Sequence, residues 1–60
     1  MSEYSAYLVT DSGTIAGVQS VFAEDDKMAL QIARRLLVET RFPSVEVWDR
    51  VDRVGTVDLE

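Results

Sequence analysis

Sixty residues carry six basic and eleven acidic side chains, a formal net charge of −5, no cysteine and no histidine. That balance argues against nucleic acid as the main partner, since phosphate binding rests on Lys and Arg, and it removes disulfides and the commonest zinc and copper ligands. A chain this short buries only about 60% of its unfolded surface, so residues 1–60 make one marginal domain, and self-association is the remaining source of added stability.

Residues 1–5 lack the basic start and apolar block of a secretory signal. No apolar run approaches the roughly 18 residues of a membrane span. The expectation is a soluble, cytoplasmic chain with no membrane partner. Leu59-Glu60 has the form of a cloning scar and carries no weight in the reading.

Residues 4–10 alternate and are rich in strand formers, and after Asp11-Ser12-Gly13 a second strand runs over 14–22. A three-residue loop with Gly third suits a type I turn closed by a bulge at the glycine, because glycine enters the left-handed region freely. That register pairs Thr10 with Thr14, Leu8 with Ala16 and Ala6 with Val18, and it lays Tyr7 over Gly17. One face then carries Ala6, Leu8, Ala16, Val18 and Phe22. The other carries Tyr7, Val9, Ile15 and Val21.

Residues 25–40 read as the single helix. At 100° per residue, Ala29, Leu30, Ile32, Ala33, Leu36, Leu37 and Thr40 share one arc of about 160°, with Lys27, Gln31, Arg34 and Arg35 opposite. Asp25 is the N-cap, Glu24 and Asp26 place negative charge at the positive end of the helix dipole, and Pro43 stops continuation. Ser44–Asp49 is the third strand, Arg50-Val51 the turn and Asp52–Asp58 the fourth strand. Pairing about that turn sets Val47 against Val54 and Trp48 against Arg53.

The order β-β-α-β-β predicts an α+β fold: a four-stranded antiparallel sheet, strand order 2-1-3-4, with one helix on one face. One helix covers one face only. Ala6, Leu8, Ala16, Val18, Phe22, Val45, Val47 and Val54 supply its floor. Tyr7, Val9, Ile15, Val21 and Trp48, with Val57, are left on the far face, which should read polar if it met only water. Tyr and Trp anchor interfaces well, being large, stiff and equipped with one polar handle. Tyr7, Val9, Ile15, Val21 and Trp48 are therefore the candidate interface, and a homodimer the expected assembly, with the sheets face to face or continued edge to edge.

Catalytic residues are not assigned, because the usual general bases and thiol nucleophiles are missing. Glu24-Asp25-Asp26 could hold Mg²⁺ or Ca²⁺ in principle, but carboxylates at a helix start more often serve as cap and dipole partners, so neither metal nor cofactor is assigned. Gly13, Gly17 and Gly55 are too scattered for a phosphate loop. Glu46, Trp48 and Arg53 suggest a surface ion pair lying along an indole.

The stretch Ala23-Glu24-Asp25-Asp26-Lys27-Met28-Ala29-Leu30, running on to Ala33-Arg34-Arg35-Leu36, and Val45-Glu46-Val47-Trp48-Asp49 carry a resemblance, each through a generic motif. With Tyr7-Leu8-Val9 and Asp11-Ser12-Gly13, they resemble a group of very short bacterial proteins of unassigned function that share the layout from first to closing hairpin. That resemblance implies no catalytic or binding residues. A further likeness is to the HicB-type antitoxins, whose strand pair is followed by an acidic-capped helix with an Ala-Leu stripe, as in residues 25–36. It implies toxin masking, without the DNA-binding segment that many such proteins append.

The functional expectation is a non-enzymatic, homodimerising protein-interaction module, open to a second protein partner. The alternatives are an antitoxin-like toxin-masking protein, or a small-ligand or nucleic-acid sensor with a dsRBD-like layout.

Overall fold

The computed structural model describes residues 1–58; Leu59 and Glu60, read above as a cloning scar, lie outside them. The described chain runs β1 (Ser2–Val9), β2 (Ile15–Ala23), α1 (Asp26–Thr40), β3 (Ser44–Asp49) and β4 (Asp52–Asp58). The four strands form one antiparallel sheet in the order β2-β1-β3-β4, with α1 on one face, which is the expected fold. No described helix is long and apolar enough to cross a membrane.

Local chemistry sets the element ends. The Asp25 carboxylate accepts from the Met28 backbone N–H at 2.9 Å, satisfying one of the free donors of the first turn. At the other end, Arg41 enters the left-handed region (φ 64°) and its N–H donates to the Leu37 carbonyl at 2.9 Å. In the first hairpin, the Gly13 N–H donates to the Thr10 carbonyl at 3.0 Å, and Gly13 takes the positive φ (86°) anticipated for it. Thr10 N–H donates to the Thr14 carbonyl at 2.8 Å, so the predicted register holds next to the loop.

It holds for one residue more and then breaks. Val9 pairs with Ile15, but Leu8 pairs with Gly17, leaving Ala16 as the extra residue of a bulge. Because side chains alternate, a one-residue slip turns the remainder of β2 over. Val21 and Ala23, 4% and 0% exposed, enter the core beneath α1, while Val18 and Phe22 turn out to solvent. The placement of Val18 and Phe22 on the helix side, and of Val21 on the far side, is thereby corrected. The side chain over Gly17 is Leu8, not Tyr7, with Leu8 Cδ1 3.7 Å from where a Cβ on Gly17 would stand.

A second irregularity lies in the closing hairpin. Trp48 faces Arg53 as expected, but Val47 faces Gly55, and Val54 is the extra residue. Val57, opposite Val45, is therefore a core residue and not part of the far face. A Cβ on Gly55 would come within 3.2 Å of Leu30 Cδ2, so β4 runs close beneath α1 at this point.

The core joins Tyr4, Ala6, Val21, Ala23, Val45, Val47 and Val57 of the sheet to Ala29, Ala33 and Leu37 of the helix. Tyr4 is its one polar member. Its hydroxyl donates to Asp26 Oδ1 at 2.8 Å, tying β1 to the first turn of α1. That bond, then burial, then the negative charges of Asp26, Asp49 and Asp25 push the phenol up from 10.0 to about 12. The folded state therefore holds this proton more tightly than the unfolded chain. The contribution is whole below pH 10 and lost as pH rises through about 12. Denaturation midpoints should fall across that window, and Tyr4→Phe should flatten the fall; an equally steep fall in Tyr4→Phe would assign it to other groups.

Candidate functional site

The sheet face turned away from α1 is built by alternation. On β1 the residues between Tyr4, Ala6 and Leu8, which pack toward the helix, are Ser5, Tyr7 and Val9. Pairing then sets Tyr7 beside Val18 on one flank and Glu46 on the other, and Ser5 beside Ser20 and Trp48. Phe22 faces Glu3 at the end of β2.

Tyr7 and Trp48 meet edge to face, ring centroids 6.4 Å apart and planes at 87°. The indole N–H of Trp48 donates to Glu46 Oε1 at 3.2 Å. Glu46 thus binds the indole through its polar edge, where the sequence had suggested an ion pair lying along the ring. This bond satisfies the indole N–H and holds the ring in one orientation, with its apolar surface free to meet a partner.

The aromatic pair forms part of a shallow cleft of about 420 Å³ lined by Tyr7, Ile15, Glu46, Trp48, Arg50 and Val51. Ile15, Val18 and Phe22 are 55%, 61% and 57% exposed, an unusual density of large apolar side chains on one face of a small sheet. Of the five predicted interface residues, Tyr7, Ile15 and Trp48 come together here. Val9 lies on this side by its pairing with Ile15 and Ser44 but is itself buried, at 8%. Val21 belongs to the helix-side core, because the bulge at Ala16 reverses its direction. Val18 and Phe22 take its place. The isolated Gly17 inside a strand pattern was the signal for that bulge.

Among the described residues, no group of three or more Asp or Glu side chains converges so as to hold a metal ion. Asp25 and Asp26 are engaged instead as the helix cap and the acceptor for Tyr4. No family model matches this chain, and neither does any curated protein or solved structure. The likenesses drawn above therefore rest on the quoted motifs alone, and the outer face must be read from its own chemistry.

Proposed function

We propose that this protein is a non-catalytic interaction module that binds a second copy of itself through the exposed apolar residues of its sheet. The observation that carries the reading is the exposure of Ile15, Val18 and Phe22 beside an oriented Tyr7–Trp48 pair, on the face that α1 leaves uncovered. Removing such side chains from water contributes about 25 cal/mol per Å² of apolar surface. In a domain of this size, whose lone core supplies only about 3–5 kcal/mol, such a gain matters to the fold. A symmetric pair is the simplest assembly that collects it, since one patch then serves both partners.

Sedimentation across micromolar concentrations should give a species of twice the 6.7 kDa chain mass. Val18→Glu should return it to the monomer with an unchanged circular dichroism spectrum, because a carboxylate among the apolar side chains brought together disfavours burial. A parent that remains monomeric throughout, and a Val18→Glu variant that behaves identically, would overturn the reading.

A further inference from the structure

We propose that two copies pair along the open edge of β2, antiparallel, about a twofold axis at Ser20, so that two four-stranded sheets become one of eight. The inference rests on the self-association proposed above and gives it a geometry. An outer strand leaves alternate backbone N–H and C=O groups unpaired, a ready template for another strand unless charge, proline or a bulge blunts it.

The two edges of this sheet differ in that respect. β4 carries Asp52, Arg53 and Asp58. Pairing it symmetrically about its central Gly55 would set Asp52 against the partner's Asp58, twice over, and like charges directly opposite destabilise a ladder. β2 has nine residues, none charged and none proline, and six of them are exposed; its one bulge, at Ala16, lies at the hairpin end and leaves the rest of the strand regular.

The bulge then selects the register. With Ala16 out of step, the regular part of β2 is residues 17–23, whose midpoint is Ser20. Antiparallel pairing about that point sets Val18 against the partner's Phe22 and Phe22 against the partner's Val18, both on the face away from the helices. Aromatic with β-branched is a favourable cross-strand pair, worth about 0.2–1 kcal/mol. The strand is thus complementary to itself, which favours a second copy over a strand of unrelated sequence.

Glu24, just beyond β2, falls opposite the partner's Ala16. Glu3 lies on β1, and its carboxylate, which accepts from Ser20 Oγ at 3.1 Å, is the acidic group nearest the axis. The joined sheet places both Tyr7–Trp48 clefts on one side, with the Val18 and Phe22 pairs between them.

The chain contains no cysteine, so single-cysteine variants report on the geometry directly. Residues facing across an antiparallel pair have Cα atoms about 4.5–5.5 Å apart, within disulfide range. Under mild oxidation, Ser20→Cys should convert largely to a covalent dimer, while Tyr7→Cys on the open face and Thr56→Cys on β4 should remain largely monomeric. Val18→Lys should weaken the unlinked dimer by about tenfold or more, with an unchanged circular dichroism spectrum. Should the parent sediment as a dimer while Tyr7→Cys or Thr56→Cys links in preference to Ser20→Cys, self-association would stand and the β2 edge would fall. Preferential linkage of Gln19→Cys, or a dimer indifferent to Val18→Lys, would likewise overturn the pairing. A parent that is monomeric at every concentration would remove both proposals.

Discussion

Leu37→Ala should cost the fold about 2–5 kcal/mol, leaving a large fraction of the chain unfolded at room temperature. Leu37 is 1% exposed and is the largest fully buried side chain, with Val45 and Val47 next. The other two buried helix residues are the alanines Ala29 and Ala33, and the half-buried Leu30 and Leu36 flank them, so the cavity closes only if those leucines leave their own packing. A 60-residue core seldom supplies more than about 3–5 kcal/mol in total, so this one truncation is comparable with the entire reserve. Urea titration should show the midpoint falling toward zero denaturant, whereas Leu37→Met, which keeps volume, should lose less than about 1.5 kcal/mol. A midpoint shifted only slightly by Leu37→Ala would mean that the helix is not held where the structure places it.

The second large effect separates two neighbours on β2. Val21→Glu should unfold the protein, because the carboxylate would enter the helix-side core with no partner and the valine's apolar burial would be lost as well. An uncompensated buried charge costs about 3–5 kcal/mol, and valine burial adds about 1.5 kcal/mol or more. Phe22→Glu should leave the chain folded with the parent's circular dichroism spectrum and lower the thermal midpoint by no more than loss of the dimer does, since that side chain faces water in the single chain. The simple hairpin register predicts the reverse. Thermal melts of the two variants therefore decide whether the bulge at Ala16 exists in solution: a folded Val21→Glu with an unfolded Phe22→Glu would restore the uninterrupted register and remove the pairing proposed for β2.

Why the register escaped the sequence is a matter of scale. Turn chemistry is local: Asp11-Ser12-Gly13 specifies its own loop, and Thr10 and Thr14 close it as that chemistry requires. The faces of the strand beyond the loop are chosen by what packs on them. Two sets of β2 residues compete for the helix side, Val18 with Phe22 and Val21 with Ala23, and both are apolar, so alternation alone does not rank them. Beneath a helix whose buried stripe is Ala29, Ala33 and Leu37, small Ala23 permits close approach and the ring of Phe22 does not. A single unpaired residue at Ala16 resolves the conflict. The same reasoning covers β4, where Gly55, not Val54, lies opposite Val47 and leaves room for Leu30.

The candidate site divides in the same way. Tyr7 and Trp48 were placed by strand period, and Ile15 by its nearness to the loop. Val18 and Phe22 required the tertiary contact, Val21 was displaced by it, and Val9 keeps its side but is buried. The hydrogen bond from Trp48 to Glu46 joins residues two apart on one strand, a spacing visible in the chain. Its choice over an Arg53 ion pair depends on side-chain geometry, which no pattern encodes.

By itself the sequence determined the element order, the helix cap at Asp25, the glycine turn at Gly13, the strand order and the presence of more apolar surface than one helix can cover. The elements, cap and turn follow from chemistry contained within a few consecutive residues, and the strand order and surplus apolar surface from the succession β-β-α-β-β itself. Only the tertiary structure decided which side chains of β2 form that surplus surface, because the choice depends on the volume left between a helix and a sheet formed from distant parts of the chain.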